Sequence, residues 1–216
     1  MVVSVHVPKS AGTSFRRILG EVCSPRIWDN YGTIFSRDRA RPELVPQGVQ
    51  LIHGHFLADA FDDLFPNRRL LTWVRHPVER LVSNYHHFMR APDMRDACCR
   101  ELHERGLSLR QFADLGWMRN ETSRYLAQKP VEDFAFVGIA EHFHESIQNF
   151  CRIFGFRDVL RIPRENVNPH RRAERYDLPA ADYAYILERN EADFAWYNRA
   201  VGRLAEDLSP DSAKIA

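Results

Sequence analysis

Val2-Val3-Ser4-Val5-His6-Val7-Pro8-Lys9-Ser10-Ala11-Gly12-Thr13-Ser14-Phe15 decides the fold of this chain, because it reads as a buried strand, a lysine-bearing turn and a helix start. The β-branched run ends at Pro8, Gly12 supplies conformational freedom in the turn, and Phe15, Ile18, Leu19 and Val22 then recur at helical spacing. The amides of such a turn and of the first helical residues converge on one place, where the helix dipole also favours negative charge. Lys9 adds a full positive charge there, and Thr13 and Ser14 add hydroxyl donors. The segment therefore reads as an anion cradle. It is not a Walker A loop, whose lysine follows the second glycine, since Lys9 precedes Gly12.

A second stretch, Leu70-Leu71-Thr72-Trp73-Val74-Arg75-His76-Pro77-Val78-Glu79-Arg80-Leu81-Val82-Ser83-Asn84-Tyr85, repeats the strand-to-helix plan. Pro77 suits the first turn of a helix. Val78, Leu81, Val82, Tyr85, Phe88 and Met89 form the expected buried stripe, which turns Arg80, Ser83, Asn84 and His87 towards the other face. Arg75 stands at the carboxyl end of the strand. Between the two stretches lies Leu51-Ile52-His53-Gly54-His55-Phe56, a short apolar run whose alternation puts both histidines on one side. Histidine suits proton abstraction near neutral pH, its unperturbed pKa being about 6.5. Three readings of the pair stay open: a general base, a structural pair, or a metal site. For the last, Asp59, Asp62 and Asp63 follow without a recognisable ligand spacing.

Pro8-Lys9-Ser10-Ala11-Gly12-Thr13-Ser14 resembles the loop that holds the 5′-phosphosulfate of 3′-phosphoadenosine 5′-phosphosulfate (PAPS) in sulfotransferases, particularly the carbohydrate (heparan sulfate 2-O/6-O) type. The Arg75-to-Ser83 stretch is similar to the family segment that binds the 3′-phosphate, with Arg75 and Ser83 at the two contact positions. His-Gly-His resembles the pair of heparan 2-O-sulfotransferases, in which the second histidine is the base. That position is His55, with His53 as a neighbour that orients the acceptor or the base. The resemblance implies a donor site made of Lys9, Ser10, Ala11, Gly12, Thr13, Ser14, Arg75 and Ser83. Arg124, within Asn120-Glu121-Thr122-Ser123-Arg124-Tyr125-Leu126, and Arg171, in the basic loop Glu165 to Arg172, are further donor contacts that it suggests. PAPS is then the donor and PAP the product, with no metal expected. The implied acceptor is a carbohydrate or other hydroxyl-bearing molecule.

Composition agrees with a compact enzyme. At 216 residues the chain is long enough for one sizeable core, so residues 1–216 are expected to form a single domain. Lys plus Arg number 30 against 29 for Asp plus Glu, a formal charge of +1, so no global field holds nucleic acid or a membrane and anion binding is local. Cys23, Cys98, Cys99 and Cys151 show no repeated spacing and read as reduced thiols, which with the lack of a leader or spanning segment points to a cytoplasmic location.

Arg26 to Gln50 reads as an irregular connection containing short elements, and Ala91 to Leu107 as another connection, where acceptor contacts vary. Ser108-Leu109-Arg110-Gln111 fits a capping box. Phe134 to Gly138 is a strand, followed by a helix carrying Phe143, Ile147, Phe150, Cys151 and Phe154 and stopped at Gly155. Its Val-Gly-x-x-Glu segment resembles family scaffold. Val159 to Ile162 reads as a short strand, and Pro179 to Asp207 as one or two helices. Repeated strand-then-helix units predict an α/β fold with a mainly parallel sheet flanked by helices, and the resemblance implies a P-loop-NTPase-like sulfotransferase core. The expected reaction is in-line sulfuryl transfer to a hydroxyl. Two other readings stand beside it: a non-catalytic PAPS- or nucleotide-binding protein, and a nucleotide-dependent phosphotransferase.

Overall fold

The computed structural model describes residues 1–22, 26–31, 40–156 and 176–209. Strand β1 (Val2–Val5) leads into helix α1 (Gly12–Val22), then β2 (Ile27–Asn30), β3 (Leu51–Gly54) and β4 (Arg69–Val74). Helices α2 (Pro77–Arg90), α3 (Ala97–Arg105), α4 (Leu109–Asp114) and α5 (Glu121–Tyr125) follow. Strand β5 (Phe134–Ile139), α6 (Phe143–Phe154), α7 (Ala180–Glu188) and α8 (Glu191–Asp207) complete the order. The sheet runs β2-β3-β1-β4-β5, and every pairing in it is parallel. The α/β expectation holds.

Alternation along the strands builds two cores. Val3, Val5, Ile52, Leu70, Val74, Phe134 and Ile139 point to one face, where Ala200 and Leu204 of α8 pack. Leu51, Leu71, Trp73 and Phe136 point to the other, covered by Phe15, Ile18 and Leu19 of α1 and by Ile147 and Phe150 of α6. A third core, built from Val78, Leu81 and Val82 of α2 with Cys99, Leu102, Phe112 and Ile186, joins α2, α3, α4 and α7. The chain leaves β1 towards β2 on one side and β4 towards β5 on the other, so β1 and β4 flank the point where strand order reverses. Ligands of open parallel sheets gather at the carboxyl ends of strands at such a point.

Several local expectations change. Ala91 to Leu107 is not wholly irregular: Asp96 caps α3 by accepting from the amides of Cys98 and Cys99, both at 2.9 Å, and Gly106 ends it at φ 58°. Arg26 to Gln50 contains the four-residue edge strand β2, one of the short elements expected there. In α2, Val78, Leu81, Val82 and Phe88 are buried as the periodicity predicts, but Met89 is 49% exposed and Arg80, Ser83 and Asn84 are buried as well. The cause is that α2 is covered on more than one side, by α3, α4, α7 and α8. The capping box at Ser108 and the stop at Gly155, φ 69°, are as read. Pro179 to Asp207 forms two helices. The strand expected at 159–162 lies outside the described residues.

Candidate active site

The turn after β1 has an unusual backbone. Lys9 and Ala11 adopt φ of 65° and 66°, the left-handed region that side-chain-bearing residues rarely enter. Such conformations cost about 1–3 kcal/mol each and persist only where the surroundings over-determine them, typically at ligand clamps. Gly12, read as the conformationally free residue, is instead the first residue of α1. Its lack of a side chain is a steric need: a Cβ there would stand 2.0 Å from Cδ2 of His6. Ser10 and Ser14 are buried and Thr13 is exposed. The Ser10 hydroxyl has no hydrogen-bond partner among the described residues.

Electrostatics ties this turn to the second motif. Lys9 is pushed down to about 8, first by burial and then by the positive charges of Arg75 and Arg90. Register gives this a geometric basis: β1 and β4 pair in parallel with Val5 opposite Thr72, so Lys9 and Arg75 both follow the carboxyl edge of adjacent strands, an arrangement that favours an anion. Arg75 is oriented by carboxylates on both sides: its Nη2 meets Glu79 Oε2 at 3.3 Å and its Nε faces Glu141 Oε1 at 3.8 Å. Glu141 also accepts from the His76 amide at 3.1 Å and from the Tyr197 hydroxyl at 3.2 Å, so the second residue after β5 pins the start of α2. Ser83 is buried on α2. Arg80 pairs with the buried Glu121, whose carboxyl is pushed up by burial against the opposing pull of Arg80.

Arg124 is placed differently from Lys9 and Arg75. Its guanidinium donates to the carbonyls of Trp117, Gly116 and Arg119 at 2.8, 2.8 and 2.9 Å and lies 5.3 Å from the Trp117 ring centroid. These contacts hold the turn before α5. Arg171 lies outside the described residues.

At the ends of β1 and β3 three imidazoles meet. The His6 ring centroid is 5.3 Å from that of His53, stacked, and 4.5 Å from that of His55. Register pairs Ser4 with His53, and the Ser4 hydroxyl sits 2.9 Å from His53 Nδ1. His53 is 1% exposed, its Nε2 has no partner among the described residues, and burial pushes it down to about 3. His55 is partly exposed. Its Nδ1 lies 2.7 Å from the His6 carbonyl oxygen. A carbonyl only accepts, so Nδ1 carries the proton and the neutral ring presents its lone pair at Nε2. Burial lowers the His55 pKa while that same bond raises it. His53 therefore has a structural setting, and His55 has the tautomer and access that proton abstraction needs.

His6, Tyr31 and Glu79 are not among the residues singled out from sequence, and Glu141 is read there only as the last residue of the Val-Gly-x-x-Glu scaffold segment. Position at the carboxyl end of a parallel strand is the signal for His6; the others depend on long-range packing. No group of three or more His, Cys, Asp or Glu side chains suited to a metal ion occurs among the described residues. No helix among them is long and apolar enough to cross a membrane.

Comparison with known proteins agrees with the motifs. A model of the sulfotransferase family matches residues 1–198. Among solved structures, the chain is similar to a sulfotransferase from Alicyclobacillus acidocaldarius, with 18% identity, 90% of this chain and 95% of that chain covered, and a TM-score of 0.49. It is also similar to mouse sulfotransferase SULT7A1 complexed with PAP, with 13% identity, 87% of this chain and 63% of that chain covered, and a TM-score of 0.41. A comparison with curated proteins gave no match.

Proposed function

Because this chain belongs to the sulfotransferase family, we propose that it transfers a sulfuryl group from PAPS to an acceptor hydroxyl, with His55 as general base. The observation that carries this reading is that Lys9 and Arg75 follow the carboxyl ends of the adjacent parallel strands β1 and β4, while β3, on the other side of β1, is followed by the partly exposed imidazole of His55 held in the proton-accepting tautomer. The acceptor oxygen attacks sulfur and gives its proton to His55 Nε2. The bond between sulfur and the bridging oxygen breaks, and its electron pair stays on the phosphate of PAP.

In this reading Lys9, Ser10, Ala11, Gly12, Thr13 and Ser14 hold the phosphosulfate, and Lys9 neutralises charge that grows on the bridging oxygen. Arg75 and Ser83 hold the 3′-phosphate and so set the donor's register. Glu79 and Glu141 keep the Arg75 fork oriented. Arg124, committed to carbonyls, is left as a support of the turn. Residues 1–216 act as one domain, and a sugar hydroxyl is the proposed acceptor, on the likeness of His53-Gly54-His55 to the 2-O-sulfotransferase pair. Cytoplasmic residence is proposed on the buried thiols of Cys98 and Cys99; burial pushes the Cys98 thiol up to about 12, which keeps it inert.

Two measurements test the reading. Labelled PAPS incubated with a panel of glycans and simple alcohols should give labelled acceptor that depends on the protein. PAP at a hundredfold excess over its dissociation constant should stabilise the fold by about 2.7 kcal/mol, and ATP by much less. Equal shifts with PAP and ATP would remove the basis for a 3′-phosphate site; a shift with PAP and no transfer to any acceptor would favour a non-catalytic binding protein.

A further inference from the structure

Tyr176 reaches the arginine of the donor site from a remote part of the chain, and nothing in the mechanism above uses it. Its amide donates to Glu79 Oε1 at 2.9 Å across 97 positions of sequence, while Oε2 of the same carboxylate meets Arg75 Nη2 at 3.3 Å. Its ring centroid lies 5.9 Å from Cζ of Arg75, inside the reach of about 6 Å over which a guanidinium is drawn to an aromatic face. The same ring stacks on that of His86, with centroids 5.4 Å and planes 30° apart. Glu79, Ser83 and His86 recur at i, i+4 and i+7, so they line one face of α2. Tyr176 is thus fixed to both ends of the stripe whose middle is Ser83.

Arg75 faces a second carboxylate, Glu141, at 3.8 Å from its Nε. Two anions around one guanidinium orient it, but they also compete with an incoming phosphate. Charge-assisted hydrogen bonds offset part of that competition: the Tyr176 amide binds Glu79, and the His76 amide and Tyr197 hydroxyl bind Glu141. Recognition of a phosphate by a planar fork depends on the orientation of that plane. A ring beside the fork restricts its tilt at little entropic cost, because tyrosine has only two side-chain torsions to fix.

We propose that Tyr176 is a positioning residue for the donor's 3′-phosphate: its ring, anchored through Glu79 and His86, holds the Arg75 guanidinium in the orientation that meets the phosphate, and so sets the preference for a 3′-phosphorylated donor over one without that group. The inference rests on the assignment of Arg75 and Ser83 to the 3′-phosphate above. Tyr176 lies in neither of the two motif segments, so the selectivity of the donor site is completed from the C-terminal part of the chain.

The test measures dissociation constants by calorimetry for PAP and for 5′-AMP, which is PAP without its 3′-phosphate. The proteins are the wild-type chain, Tyr176→Ala, Tyr176→Leu and Tyr176→Phe, each with and without Arg75→Ala. Tyr176→Ala should weaken PAP binding about 3–10-fold and leave 5′-AMP within about twofold, the scale of one lost guanidinium–ring contact. Tyr176→Leu, which fills the space without a π face, should behave as Tyr176→Ala, whereas Tyr176→Phe, which keeps the face, should retain the wild-type preference. In the Arg75→Ala background Tyr176→Ala should cost nothing further, because the ring then has no guanidinium to hold. Equal losses for PAP and 5′-AMP, losses that add to that of Arg75→Ala, or wild-type preference in Tyr176→Leu would overturn the proposal. If Tyr176→Ala does not fold, Tyr176→Leu decides. A wild-type chain that binds PAP no more tightly than 5′-AMP removes the 3′-phosphate site and this inference with it; a wild-type preference for PAP with insensitive Tyr176 variants sinks this inference alone.

Discussion

The imidazole of His6 occupies the space that a side chain on Gly12 would need, with Cδ2 2.0 Å from the Cβ position. Strand β1 and the start of α1 therefore interlock through one missing methyl group. Alanine in a helix ordinarily gains up to about 1 kcal/mol over glycine. At Gly12 the clash should reverse this, so Gly12→Ala is expected to lose about 1–3 kcal/mol of stability and to weaken PAP binding. Gly20→Ala, on the exposed side of the same helix, would bring its Cβ only to 3.1 Å from Arg16 Nη1 and should cost far less. Chemical denaturation of both variants checks the contrast, and a Gly12→Ala protein as stable as Gly20→Ala would contradict it.

Lys9 and Arg75 should separate chemistry from binding. Arg75→Ala is expected to weaken PAP binding with a smaller effect on turnover at saturating PAPS. Lys9→Ala should also slow turnover, because its charge acts on the group being transferred. Titration of PAP and steady-state kinetics on the two variants distinguish these outcomes; wild-type turnover in Lys9→Ala would remove the lysine from the mechanism.

His55 and His53 differ in access and tautomer. His55→Ala should lose about two to four orders of magnitude in turnover, the usual scale for a positioned acid–base group, with PAP affinity nearly unchanged. His53→Ala should cost less turnover and more stability, since its ring is packed against His6 and bonded to Ser4. A larger turnover loss at His53 would transfer the base role there.

The pH dependence of kcat/KM should follow the two depressed groups. His55 must be neutral to accept a proton, and its lowered pKa keeps it so below the ordinary histidine range, so activity should persist on mild acidification and fall only at lower pH. Lys9 must be charged, and at about 8 it begins to lose its proton, so the alkaline limb should lie near that value. Lys9→Arg should carry the alkaline limb to higher pH. An unmoved limb would assign it to another group.

Stability should fall as pH is lowered below the ordinary histidine value of 6.5 towards the 3 or so of His53. His6 and His55 are depressed in the same direction. The unfolded chain binds protons there that the folded chain excludes, which costs about 1.4 kcal/mol per pH unit for each such site. Unfolding free energies measured from pH 7 to pH 5 should slope accordingly, and His53→Asn should flatten the slope. An unchanged slope in that variant would show that His53 does not drive it.

Much of the site was legible in the chain. Strand, turn and helix at Val2 to Phe15 are local patterns, as are the second unit at Leu70 to Tyr85 and the capping box at Ser108, because backbone propensity and periodicity act over a few residues. The pairing of Lys9 with Arg75 was implied by resemblance. Residues whose role depends on what covers them are not legible locally: periodicity turns Arg80 to the face opposite the apolar stripe, yet it is buried against Glu121 because α5 and the helical layer close over it. Arg124 carries a local signal that cannot reveal the carbonyls it meets across the turn.

By itself the sequence determined a parallel α/β sheet, two strand-to-helix turns bearing Lys9 and Arg75 and a histidine pair between them, since each is written in spacing and residue type over a short window. Only the tertiary structure decided which histidine presents a lone pair, why residue 12 is glycine, and that His6 and Tyr31 belong to the same cluster. Those properties arise between segments far apart in the chain. The His6 carbonyl sets the His55 tautomer, and the His6 ring excludes a side chain at Gly12, only because parallel pairing of β1 with β3 brings them into contact.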